Sequence, residues 1–134
     1  MAAKRVTLVV AEVRDHVGAL AEALGPMAKA GVNLEGVVAY GVGGGAASVV
    51  CLPDCSDTAM GAAKEAGLKA RKVEAVLLSG PDAPGVGARL AKRVAKAGIN
   101  IKGLAAMVVK GQHRTLLWAG PKDAEALATE LRAK

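Results

Sequence analysis

Two short clusters of side chains have the types and spacing to hold a small charged molecule. The first is Asp15-His16-Val17-Gly18, followed fifteen residues after its glycine by Asn33. The second is Asp82-Ala83-Pro84-Gly85, followed at the same interval by Asn100. A zwitterion offers one ammonium and one carboxylate. The aspartate balances the ammonium, and an asparagine amide donates and accepts hydrogen bonds at once. Glycine lets a ligand approach the backbone closely, and a helix beginning beside it presents free N–H groups that favour an anion. The same residues also have plain structural uses. Aspartate caps helices, glycine serves turns, and asparagine bonds its own backbone.

Catalysis finds little support in the other reactive residues. The only histidines are His16 and His113, and no Ser–His or Cys–His arrangement follows from spacing. His16 lies beside Asp15, but its counterpart in the second cluster is Ala83. Cys51 and Cys55 are separated by three residues, which is not the C-x-x-C of redox or zinc sites. A four-ligand metal cage would have to gather both cysteines and both histidines. The expectation is therefore no enzyme, no metal and no cofactor. Cys51 reads as a buried strand residue and Cys55 as a loop residue before a helix, whose start lowers a thiol pKa. Neither Gly41-Val-Gly-Gly-Gly45 nor Gly80–Gly87 is followed by the Lys-Ser/Thr pair of a phosphate-binding loop.

The elements that position the two clusters are themselves duplicated. A shift of 67 residues lays one half on the other without a gap from about residue 6 to residue 40. Asp15 falls on Asp82, Gly18 on Gly85, Ala28-Lys-Ala-Gly-Val-Asn33 on Ala95-Lys-Ala-Gly-Ile-Asn100, and Gly36 on Gly103. In the first half, Val6–Val10 predicts a strand. A helix follows, with Leu20, Leu24 and Met27 on one apolar face and Gly31 suited to its left-handed end. Asn33 to Tyr40 predicts the second strand, Gly41–Gly45 a hairpin, and Ala46–Leu52 the third. A second helix begins near Ser56 or Asp57 and ends at Ala66-Gly67, and Leu68–Val73 predicts a short fourth strand. The second half gives a strand over 74–79, a helix over 85–97, a strand over 99–109, a Lys110-Gly111 turn, a strand over 114–119, and a helix from about Lys122. Gly25-Pro26 predicts a kink or split in the first helix.

This order predicts an α+β fold of two tandem ferredoxin-like βαββαβ modules, residues 1–72 and 73–134. Each has an antiparallel sheet with helices on one face, and the second lacks its last strand. A sheet edge left open in that way predicts a homodimer. Apolar residues make up 52% of the chain, yet Phe is absent and Tyr40 and Trp118 are the only aromatics, so the core must be aliphatic. No run approaches the roughly 20 apolar residues that span a bilayer, and the first residues enter a strand rather than a signal peptide. The expectation is a cytoplasmic protein without membrane contact. Residues 1–67 carry five basic and seven acidic side chains, and residues 68–134 carry thirteen and five. Arg89, Lys92, Arg93 and Lys96 make a basic stripe on one helix, which raises the alternative of a surface docking an acidic protein or nucleic acid. Nucleic acid is disfavoured, because sheet modules that bind RNA stack bases on aromatics.

The spacing Asp-x-x-Gly, a helix, then Gly-Val/Ile-Asn, occurring twice, resembles ACT domains, and the plan of nearly the whole chain resembles small tandem ACT proteins. The resemblance implies a non-enzymatic, allosteric protein that binds a small amino acid at an interface between modules and signals to a regulated enzyme or regulator in trans. It implies ligand contacts from the loop between first strand and first helix and from the start of the second strand. Carried over, these are Asp15, His16, Val17, Gly18 and Asn33, with Asp82, Ala83, Pro84, Gly85 and Asn100. Val17 departs from the family, which commonly has proline there, as Pro84 does. Gly87 replaces the apolar residue that Leu20 supplies, so either the second pocket is larger or its helix packs less tightly.

Overall fold

A computed structural model describes all 134 residues. The chain has an α+β fold of six strands and four α-helices. In chain order these are β1 (Ala2–Arg14), α1 (Ala19–Lys29), β2 (Leu34–Gly43), β3 (Ala46–Pro53), α2 (Ser56–Glu65), β4 (Lys69–Pro81), α3 (Val86–Lys96), β5 (Ile101–Val109), β6 (Gln112–Ala119) and α4 (Ala124–Glu130). A single 3-10 turn, Pro121–Asp123, leads into α4. The expected fourth strand and the strand after it are one continuous β4, because no glycine, proline or turn residue interrupts Lys69–Ser79.

The chain divides into two compact units, Thr7–Val73 and Met1–Val6 with Glu74–Lys134. In the first, the strand order is β2-β3-β1-β4, with β4 contributing its opening residues. β3 pairs antiparallel with both β1 and β2, Val9 opposite Cys51 and Val37 opposite Cys51. Val9, Ala11, Val49 and Cys51 share one face and pack with Ala23 and Met27 of α1 and Ala59 and Ala63 of α2. Glu12 on β1 pairs with Lys69 and Arg71 on β4 at 3.4 and 3.7 Å.

The second unit has the order β5-β6-β4-β1, with β1 contributing its first residues. Its core joins Val76 and Leu78 of β4, Leu90 and Val94 of α3, Leu117 of β6, and Leu127 of α4. Here the expectation of a missing last strand is corrected. Residues 1–6 fill that place beside β4, and Ala3 packs against this unit's core. The Arg5 N–H donates to the Lys134 carbonyl at 3.1 Å, and the Arg5 guanidinium forks onto Glu125 at 2.6 and 2.8 Å. That pairing holds the Glu125 carboxyl below the usual carboxylate range. The unpaired edge from which a homodimer was expected is thus not where the sequence put it.

Helix ends follow the sequence closely. In α1 the Val32 and Gly31 N–H groups bond the Met27 and Ala28 carbonyls, and Gly31 is left-handed at φ 78°. α2 and α3 end in the same way at Gly67 and Gly98, and α4 does so with Arg132 at φ 56°. The split expected at Gly25-Pro26 does not occur: α1 runs unbroken through Pro26. Proline removes one donor to the exposed Glu22 turn, where water can serve the carbonyl, and the Pro26 carbonyl still accepts from Ala30. The buried face of α1 is Ala19, Ala23 and Met27, while Leu20 is 46% exposed. Leu20 is therefore no core residue, and its replacement by Gly87 opens no hole there.

Gly36 and Gly103 match in the repeat but carry different constraints. A Cβ on Gly103 would lie 2.1 Å from the Trp118 ring, whereas one on Gly36 would sit 3.6 Å from Leu52. Gly103→Ala should expel the indole and destabilise by about 1–3 kcal/mol, read by thermal denaturation with Trp118 fluorescence moving in parallel. Gly36→Ala should leave the stability within about 0.5 kcal/mol of the parent. Equal effects of the two would contradict the packing described.

Candidate functional site

The two clusters fold into the same local structure. Asp15 ends the turn out of β1, and its N–H donates to the Gly45 carbonyl of the β2–β3 hairpin at 2.9 Å. Asp82 does the same with the Gly111 carbonyl of the β5–β6 hairpin at 2.8 Å. Each chain then tightens into a turn, with Ala19 N–H on the His16 carbonyl (3.0 Å) and Val86 N–H on the Ala83 carbonyl (3.3 Å). Gly18 and Gly85 immediately precede the helices at φ 90° and 87°. An L side chain is strained in that left-handed region, so the glycines are required by the turn. The Val17/Pro84 difference leaves this backbone unaltered.

No side chain caps either helix. Asp15 and Asp82 are thus not the helix caps that a purely structural reading allows. The Asp15 carboxylate instead reaches toward β2, its Oδ2 2.9 Å from the position a Cβ on Gly41 would take. Asp15, His16, Val17, Gly18 and their counterparts Asp82, Ala83, Pro84 and Gly85 are all exposed. His16 folds back on the helix start, with Nδ1 2.8 Å from the Val17 carbonyl and Nε2 3.4 Å from Glu22.

The asparagines lie elsewhere. α1 is eleven residues long, about 16 Å at 1.5 Å per residue, and Asn33 follows its far end. The Asn33 N–H donates to Asp54 Oδ1 at 3.1 Å, and its carbonyl accepts from the Asp54 N–H at 2.9 Å, at the end of β3 away from Gly45. Asn100 follows α3 in the same position, and both asparagines are exposed. Each unit therefore brings Asp, the loop and Gly together and holds Asn apart from them.

The basic stripe is only partly free. Arg89 Nη1 donates to the Pro84 carbonyl at 3.1 Å, bracing the second loop. Arg93 pairs with Glu130 through Nε at 3.1 Å and also reaches the Glu130 carbonyl. Two of the four cations are thus engaged within the protein, which weakens the stripe as a docking surface for an acidic partner. Sequence reasoning missed both anchors, since Glu130 lies 37 positions from Arg93 and the Pro84 anchor is a backbone carbonyl.

The cysteines sit as expected, Cys51 buried and Cys55 exposed just before α2. The Thr58 hydroxyl donates to Cys55 Sγ at 3.1 Å and, with backbone N–H groups of the first turn, lowers its pKa. Burial pushes the Cys51 thiol up to about 11. At pH 7.5 iodoacetamide should therefore alkylate Cys55 and spare Cys51, as read by peptide mass. Raising the pH should speed the Cys55 reaction only until its lowered pKa is passed, and Thr58→Ala should move that point upward. Equal labelling of the two thiols in the folded protein would contradict this assignment.

No family model matches the chain, and no curated protein does. Solved structures do match it. Protein BT0572 from Bacteroides thetaiotaomicron is 17% identical with a TM-score of 0.81, covering 97% of this chain and 90% of that one. The ligand-free regulatory subunit of aspartate kinase from Thermus thermophilus is 18% identical with a TM-score of 0.65, covering 96% and 91%. The aspartate kinase of Clostridium acetobutylicum, described as an allosteric enzyme, matches at 14% identity and a TM-score of 0.61, over 97% of this chain but 32% of its own. No helix is long and apolar enough to cross a membrane. The chain has the ACT-like fold that it shares with regulatory subunits of aspartate kinase.

Proposed function

We propose that this chain is a non-catalytic regulatory protein of the ACT kind, built of two ferredoxin-like modules that correspond to residues 1–72 and 73–134 with residues 1–6 exchanged. It binds a small amino acid or a related metabolite at an interface between ACT modules and signals to an enzyme or regulator in trans, in the cytoplasm. The observation that carries this reading is the paired loop. Twice, an exposed aspartate and a left-handed glycine open a helix whose first turn no side chain caps. Such a turn favours a carboxylate, and the aspartate three residues before the glycine suits the ammonium. Contacts from Asn33 or Asn100 come from a second module, because within one unit they lie a helix length away.

Fold neighbours described as regulatory subunits support regulation over catalysis. A homodimer is the working assembly. Exposed apolar side chains on β2 (Val37, Tyr40, Val42) and on β5 (Met107, Val108, Val109) support it.

A thermal-shift panel of the twenty amino acids tests the proposal. A ligand at 100 times its dissociation constant adds about 2.7 kcal/mol, roughly 8 °C for a chain of this size. One amino acid, or a few of related shape, should raise the melting temperature. Asp15→Asn and Asp82→Asn together should weaken that ligand about tenfold or more, the loss of one charge-assisted bond. No shift with any of the twenty would overturn the sensor reading.

A further inference from the structure

The second unit holds a cavity that the paired loops do not use. It measures about 310 Å³ and lies between the α3 face that carries Val86, Leu90 and Arg93 and the ends of β4 and β6. This volume falls at the lower end of small-molecule pockets, about 300–1,000 Å³. Met1, Pro81, Val86 and Leu90 form its apolar wall, and Arg89, Arg93 and His113 supply its polar groups.

His113 is the unusual member. It is 5% exposed, and its Nδ1 lies 3.2 Å from the Thr115 hydroxyl. Nε2 has no hydrogen-bond partner in the protein. In the tautomer in which the Thr115 hydroxyl donates to Nδ1, Nε2 carries the hydrogen and can donate. No buried side-chain nitrogen or oxygen lacks a partner, so Nε2 is reached from the cavity, and on that wall it offers a place for an acceptor. Space for the ring comes from Gly80, directly opposite His113 across the β4–β6 pairing, where a Cβ would sit 3.2 Å from Nε2.

The arginines add to that donor set. Arg89 uses only Nη1, on the Pro84 carbonyl, and Arg93 uses Nε and Nη2, on Glu130. Nε and Nη2 of Arg89 and Nη1 of Arg93 remain. Glu130 faces Arg93 from α4 but does not line the cavity, and no carboxylate does. The equivalent positions of the first unit are Glu22, Pro26 and Ala47, with Val13 in place of Gly80. The cationic cavity thus belongs to one copy of the repeat alone.

We infer that this cavity is a binding site for a small organic anion, a carboxylate with a short branched apolar tail and no ammonium group. The carboxylate takes hydrogen bonds from His113 Nε2 and from Arg89 and Arg93. The tail rests on Met1, Pro81, Val86 and Leu90. A zwitterion is poorly suited, since nothing on the walls would balance its ammonium. The site is therefore separate from the loops proposed to hold an amino acid, and it does not rest on that proposal.

Titration of the full chain with 4-methylpentanoate, followed by NMR of the His113 imidazole and the arginine Nε–H signals, tests the site. The expected result is a saturable shift of His113 and Arg89, with acetate and inorganic phosphate each binding at least about tenfold more weakly because they lack the tail. Arg89→Gln keeps a donor for the Pro84 carbonyl and should weaken 4-methylpentanoate about tenfold. His113→Gln should do the same, and an amide spectrum of each variant confirms its fold. Asp15→Asn with Asp82→Asn should leave this titration unchanged while weakening any amino-acid response. No saturable shift would overturn the site. So would equal affinity for phosphate, or binding indifferent to both folded variants.

Discussion

Two backbone hydrogen bonds, from Asp15 N–H to the Gly45 carbonyl and from Asp82 N–H to the Gly111 carbonyl, tie each loop to the neighbouring hairpin. Once the chain is fixed there, it has three residues in which to turn from strand direction into helix direction. A glycine near φ 90° makes the turn at Gly18 and at Gly85. That geometry sets the direction of α1 and α3, and so which alanines and valines reach the core. It also leaves the helical N–H groups that follow the bonded Ala19 and Val86 without a side-chain cap. Fold and candidate site share one local constraint, which explains why duplication copied both together.

What duplication did not preserve is the surrounding chemistry. Glu22 and Arg89 occupy equivalent positions on α1 and α3. The first faces the exposed His16 at 3.4 Å, and the second braces the Pro84 carbonyl at 3.1 Å. Pro26 corresponds to Arg93, which reaches Glu130. The charge difference between the halves, seven acidic against five basic and then five against thirteen, is therefore concentrated partly on one helix face. Two similar scaffolds present an acidic helix start and a cationic one, and they have no reason to bind the same molecule in the same way.

Much of the fold was legible because it depends on local signals. Glycines at 31, 67 and 98 end helices in the left-handed conformation that the sequence pattern demands. The absence of Phe required an aliphatic core, and Leu78, Leu90, Leu117 and Leu127 provide it. The misreadings arise where small or distant residues decide. Leu20 looked like a core position, yet the buried face of α1 is carried by Ala19, Ala23 and Met27, because α2 packs there through alanines as well. Residues 1–6 carry no sign that they complete the second unit, since their partners Glu125 and Lys134 lie at the far end of the chain. Asp15 and Asn33 appear adjacent as a motif, but a helix of eleven residues stands between them. The cavity gathers Met1, Arg89 and His113 from three distant stretches, and no spacing rule connects them.

The most direct measurement is a residue-by-residue amide NMR map as an amino acid is added to the intact chain. If the loops are the binding elements, the largest changes fall on residues 16–21 and 83–88, with smaller ones at Asn33 and Asn100. Binding that leaves both helix starts undisturbed and moves amides elsewhere would contradict the account.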